Sequence, residues 1–140
     1  MEKKNIDWGN LSFGYMETDK RFVANYKDGA WDEGALIEDS KVVISECAGV
    51  LQYAQTCFEG LKAYTTSDGK VVTFRPDLNA ERMESSCKRL EMPVFPQDKF
   101  VKACEDVVRA NAAYVPPFGS GATLYIRPYM FGSGPVIGVK

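Results

Sequence analysis

Residues 61 to 90 read LKAYTTSDGKVVTFRPDLNAERMESSCKRL, and the period of the chain changes inside this stretch. Up to Phe74, short apolar runs near 61 to 66 and 70 to 74 flank Asp68-Gly69, a dipeptide that favours a tight hairpin turn. Beyond Pro76, which suits a first helical turn, Met83, Cys87 and Leu90 recur at i, i+4 and i+7. Glu81, Glu84 and Lys88 fall on the opposite side, so the spacing predicts an amphipathic helix.

The same logic extends outward. Candidate strands around 21 to 26 and 34 to 38 are joined near Asp28-Gly29 and predict an earlier hairpin. A second helix begins near Pro96, places Phe100, Cys104 and Val107 on one stripe, and continues toward Ala112 before Pro116-Pro117 ends it. The segment LYIRPYMF, residues 124 to 131, reads as a returning strand. Strand pairs, two helices and a last strand make an α+β fold, a mainly antiparallel sheet with two helices packed on it.

The chain has 140 residues, 45% of them hydrophobic and 26% charged, the balance of one ordinary globular domain. A chain of this length buries roughly 68% of its unfolded surface and needs no metal or disulfide staple. The net charge of −2, with scattered Lys and Arg, lacks the clustered basic face that nucleic acid requires. No apolar run is long enough for a membrane helix, and MEKKNIDWGN lacks a signal-peptide core, which points to the cytoplasm. Cys47, Cys57, Cys87 and Cys104 show no CxxC spacing and read as free, buried small hydrophobes. The absence of His excludes Ser–His and Cys–His nucleophilic systems within the chain. Chemistry here must use Lys, Tyr, carboxylates or a bound cofactor.

Three places could carry it. Arg82 sits on the flank of its helix's apolar stripe beside Asn79, Ser86 and Arg89; it either clamps an anion such as phosphate or covers core with its stem. Tyr125 and Arg127, two apart on a strand, share a face. A guanidinium there requires an internal carboxylate, an exposed edge or a carboxylate-bearing ligand. In YAQTCFEGLKAY, Tyr53 and Phe58 flank a short polar segment, and Gly60 would let backbone approach a ligand, although such aromatics also serve as core. Gly132, Gly134 and Gly138 are not a dinucleotide loop, because the spacing is GxGxxxG and Pro135 intrudes. Lys62, alternating with Leu61 and Ala63, is expected to face solvent.

LQYAQTCFEGLKAY, FRPDLNAERM, the MP after the first helix and LYIRPYMFGSGPVIGV resemble, in order and spacing, the small N-terminal domain of branched-chain amino-acid aminotransferases, fold-type IV pyridoxal-phosphate enzymes. The likeness covers most of the chain from Phe13 onward. It implies that Arg82, in NAER, holds the phosphate of pyridoxal 5'-phosphate. It implies that Phe13, Phe58 and Tyr125 line an aliphatic pocket that closes over Gly60, and that Arg127, in YIRP, meets the distal carboxylate of glutamate or 2-oxoglutarate. Family dimers exchange elements, so Tyr53, Val139 and Ile137 are expected near the neighbouring subunit's pocket in a homodimer.

By the same resemblance, residues 1–134 form the small domain and 135–140 begin a connector to a second, catalytic domain. That domain would carry the lysine that binds the cofactor covalently; Lys140 lies too near the connector to be that residue. The expected parent activity moves the amino group of leucine, isoleucine or valine to 2-oxoglutarate, and the 140 residues alone are expected to be inactive. D-amino-acid transaminases and aminodeoxychorismate lyases share the fold, and a noncatalytic dimerising module is the alternative from another class. The FEGLKAY and YIRP stretches favour the branched-chain members.

Overall fold

The computed structural model describes residues 2–135 and residue 137. After a 3₁₀ turn at Trp8–Asn10 come β1 (Arg21–Val23), β2 (Tyr26–Lys27), β3 (Ala30–Trp31) and β4 (Ala35–Ile37). Strand β1 pairs antiparallel with β4, and β2 with β3. Asp28 and Gly29, between paired Lys27 and Ala30, have φ of 53° and 83°. Two consecutive positive φ values give the turn whose twist matches right-handed strands. The predicted first hairpin therefore forms, as two nested short ladders.

A short helix α1 (Gly49–Tyr53) and strand β5 (Thr56–Phe58) follow, then β6 (Leu61–Thr65) and β7 (Val71–Thr73). The second predicted hairpin is β6–β7, closed by the Thr66 amide donating to the Lys70 carbonyl at 2.8 Å, with Gly69 at φ 85°. Helix α2 (Pro76–Arg89) starts on its proline, as expected, and buries Ala80, Met83 and Cys87. Leu90 departs from the predicted stripe: it occupies the C-cap, where the backbone has left the helix, and is 50% exposed.

Helix α3 (Gln97–Ala110) buries Phe100, Cys104 and Val108. The third apolar position is thus Val108 and not Val107, because the buried arc centres on Cys104, and at about 100° per residue Val108 lies nearer to it. The helix also stops earlier than expected. Asn111, 2% exposed, donates to the Val107 and Lys20 carbonyls and accepts the Asp19 and Lys20 amides, and a 3₁₀ turn takes over at Ala112–Tyr114.

The segment LYIRPYMF is not one strand. It divides into β8 (Leu124–Ile126), paired with β6, and β9 (Tyr129–Phe131), paired with β5. Pro128 has no amide hydrogen to give a ladder, and this breaks the pairing. The register nonetheless carries through: Phe58 faces Tyr129 and Leu61 faces Ile126, so Gly60 stands opposite Arg127 and Glu59 opposite Pro128. The Glu59 amide donates to the Pro128 carbonyl at 2.8 Å across the break. The α+β class holds, with the antiparallel pairing among the described residues divided among one three-stranded and three two-stranded sheets.

One core joins the helices to β6, β8 and β9 through Leu61, Ala63, Met83, Cys87, Phe100, Cys104, Ile126 and Met130. The surface is large for the mass. It measures 9529 Å² for 15.6 kDa, against about 7,300 Å² for a folded monomer of that size. Phe13, Tyr15, Val43, Phe58 and Ile137 are among the exposed apolar side chains. Among the described residues no helix is long and apolar enough to cross a membrane.

Candidate functional site

The broken ladder assembles most of the candidate residues. Tyr125 rises from β8 over Gly60, so closely that a Cβ on residue 60 would lie 3.0 Å from the phenol Cζ. Glycine is required here by space. Arg127, one residue beyond β8, turns its guanidinium back over the same face: its Cζ lies 4.5 Å from the centre of the Phe58 ring and 5.3 Å from that of Tyr125. Its Nη2 donates to the Tyr125 hydroxyl at 3.3 Å. Phe13, from the N-terminal loop, meets Tyr125 edge-on with centroids 5.4 Å apart. Phe13, Phe58, Gly60, Tyr125 and Arg127 thus form one wall.

The wall is apolar with a cation resting on it. Among the described residues the partners of Arg127 are aromatic, so of the explanations open to it the internal carboxylate is the one the structure removes. A guanidinium over ring faces is held by the negative face of the π-system while its hydrogens stay available to an anion.

Arg82 has a different partner. Its Nε donates to Glu59 Oε1 at 2.6 Å and its Nη2 to Glu59 Oε2 at 2.7 Å, a two-point clamp on a carboxylate that is 3% exposed. Asn79, one turn earlier on α2, donates to Glu59 Oε2 at 2.9 Å and to the Gly60 carbonyl at 3.1 Å. The polar flank read from the helix therefore grips the Glu59-Gly60 corner. Burial pushes the Glu59 carboxyl up, but hydrogen bonds from Arg82 and Asn79 and the arginine charge outweigh it and hold it below the usual glutamate range. The Arg82 side chain itself is 68% exposed.

Glu59 is the residue that sequence reasoning passed over. A carboxylate between an aromatic residue and a glycine was the available signal, without indication that its partner lay on the next helix.

Two anion receptors are expected, and they do not share one concavity. Phe13, Tyr53, Tyr125 and Arg127 line a broad open depression of about 2080 Å³; Phe58, Gly60 and Arg82 lie outside its lining, and Arg82 is tied to the Glu59-Gly60 corner by its two hydrogen bonds to Glu59. Tyr53 closes α1 at the rim of that depression, 46% exposed, without ring contact to Tyr125 among the described residues. Ile137 is exposed, and Val139 and Lys140 lie outside the described residues. Lys62 faces solvent. The four cysteines are free thiols, with Cys57 Sγ 3.8 Å from Cys87 Sγ and the Met83 and Met130 sulfurs each 3.7 Å from one of the pair.

No protein-family model matches the chain. Over 137 residues it is 54% identical to the branched-chain-amino-acid aminotransferase of Haemophilus influenzae and 48% identical to that of Helicobacter pylori, each alignment covering 98% of this chain and 40% of the relative. The solved structure of the Thermoproteus uzoniensis branched-chain aminotransferase with norvaline matches with a TM-score of 0.62 at 26% identity, over 84% of this chain and 36% of that one. A second solved branched-chain amino acid aminotransferase, complexed with N-(5'-phosphopyridoxyl)-L-glutamate, matches with a TM-score of 0.67 at 25% identity, over 89% of this chain and 36% of that one. The chain spans about two fifths of the length of the curated relatives it matches. Along nearly its whole length the chain is similar in sequence to part of the branched-chain-amino-acid aminotransferases, and its small α+β fold is alike to the corresponding part of theirs.

Proposed function

We propose that this chain is the small N-terminal domain, residues 1–134 with the start of a connector, of a pyridoxal-phosphate-dependent aminotransferase. The parent exchanges amino groups between leucine, isoleucine or valine and 2-oxoglutarate. The observation that carries the reading is the Arg127 guanidinium lying on the Phe58 and Tyr125 rings. A transaminase must seat a branched hydrocarbon in one half-reaction and a dicarboxylate in the other. A purely apolar pocket rejects the second by the cost of an unpaired charge. A cation parked on aromatic faces resolves the conflict: the rings pack against the hydrocarbon, and the guanidinium turns its hydrogens to the distal carboxylate.

The cofactor's phosphate falls to Arg82. With Glu59 engaging Nε and one Nη2 hydrogen, the Nη1 hydrogens suit a phosphate oxygen. When bound, pyridoxal phosphate supplies the electron sink for amino transfer. The ligand of the second solved relative, which joins a phosphopyridoxyl group to glutamate, supports both assignments. Gly60 lets Tyr125 and the substrate approach the same backbone. The surplus exposed surface supports a further domain and a second copy covering this face, with Tyr53, Ile137 and Val139 toward the neighbouring subunit in a homodimer working in the cytoplasm. The covalent cofactor lysine is assigned to the further domain, and the 140 residues alone to an inactive state.

The test uses the full-length protein carrying this segment, supplied with pyridoxal phosphate. Glutamate should form from 2-oxoglutarate with leucine and not with D-alanine. Turnover confined to D-alanine, or no turnover with either, would remove the assignment.

A further inference from the structure

Glu59 is 3% exposed, and a carboxylate at that depth is disfavoured unless its oxygens are satisfied. Three side-chain N–H groups satisfy them: Arg82 Nε and Nη2, and Asn79 Nδ2. The pairing is unequal, since the carboxylate is 3% exposed and the arginine side chain 68%. The glutamate is the fixed member and the arginine the one presented outward.

We infer that Glu59 is a positioning residue for anion recognition by Arg82. A guanidinium is planar, so a two-point grip on its Nε edge sets both its plane and its direction. The Nη1 hydrogens and the second Nη2 hydrogen are then left on the far edge. A flexible arginine would have to lose its rotamer freedom when the anion arrives; here the fold has already taken it. The inference rests on the proposed assignment of Arg82 to the cofactor's phosphate.

An opposing effect has to be weighed. Glu59 is itself negative and repels a phosphate beyond the arginine. That repulsion acts through the exposed end of the side chain, where water and salt screen it. Loss of orientation is not screened. Replacing Glu59 by Gln keeps the shape and one acceptor oxygen but turns an NH₂ group against an arginine N–H, so the grip loses its second point. Anion affinity should fall.

The experiment uses the full-length protein freed of cofactor and titrates it with pyridoxal phosphate and, separately, with pyridoxal. The ratio of the two affinities reports the phosphate contact and is insensitive to general loosening. Glu59→Gln should lower that ratio about tenfold, and Asn79→Ala, which frees one side of the same carboxylate, about threefold. In an Arg82→Ala background Glu59→Gln should change it no further. An unchanged or raised ratio in Glu59→Gln, with a collapsed ratio in Arg82→Ala, overturns the inference and leaves the phosphate assignment standing. An unchanged ratio in Arg82→Ala overturns both. Should Glu59→Gln fail to fold, Asn79→Ala decides by the same ratio.

Discussion

Gly60 and Tyr125 meet across the broken ladder with no room for a single added carbon, the phenol Cζ lying 3.0 Å from where a Cβ on residue 60 would stand. Gly60→Ala must displace the ring, and the ring carries both the Phe13 edge contact and the hydrogen bond from Arg127. Overpacking of this kind costs about 1–3 kcal/mol. The expected result is a lowered Tm and, under the proposed function, at least a tenfold rise in the full-length protein's KM for leucine. Unchanged values for both would show that the ring is free to move aside.

Under the proposed function, Arg127→Leu in the full-length protein should separate the two half-reactions. The aromatic wall survives, so leucine should bind within about threefold of the parent, while the dicarboxylate loses its counter-charge. A charged-group mismatch of this sort is worth a factor of roughly 10² or more. Steady-state KM values for leucine and 2-oxoglutarate check it, and equal losses for both would place the arginine's role in structure.

Stability at acid pH should carry the signature of Glu59. Its carboxyl is held below the usual range in the folded state, so it contributes stability that is present above the unfolded value, about 4.3, and is lost as pH falls through the lower folded value. Glu59→Gln should be less stable than the parent by about 1–3 kcal/mol near neutrality. The difference should shrink below about pH 4 as the native carboxyl takes up its proton. Urea unfolding at several pH values measures this; a difference constant over the whole range would contradict it.

Thiol reactivity should divide the cysteines. Burial, together with the neighbouring Cys57, pushes Cys87 up to about 12, and burial pushes Cys104 to about 12. Since the thiolate is the reacting form, neither should be labelled in the native protein at about pH 8. Cys47 and Cys57, both partly exposed, should react first, and all four after unfolding. Mass spectrometry of labelled peptides locates the sites.

The parts of this fold that sequence reveals are those with local causes. Asp28-Gly29 and Asp68-Gly69 announce their turns because few other dipeptides accept the backbone, and Pro76 with Met83 and Cys87 announces α2 through spacing alone. Helix α1 and strand β5 escaped because five and three residues are too few to show a period, and because β5 pairs with β9 more than seventy positions later. LYIRPYMF looked continuous because its apolar residues are continuous; the proline that divides it acts through a missing hydrogen bond to a partner strand. Arg82 and Arg127 were visible as charges beside apolar positions. Glu59 was not, since its burial depends on an arginine twenty-three positions away that only the folded helix delivers.

Because pairing keeps step on both sides of the interruption, the dipeptide Glu59-Gly60 behaves as a spacer of fixed length between two guanidinium groups. The Glu59 amide donates to the Pro128 carbonyl, and the Gly60 carbonyl accepts from the Asn79 side chain. Inserting or deleting one residue there would turn Phe58 to the opposite side and carry Glu59 out of reach of Arg82. The corner therefore admits substitution far more readily than any change in length.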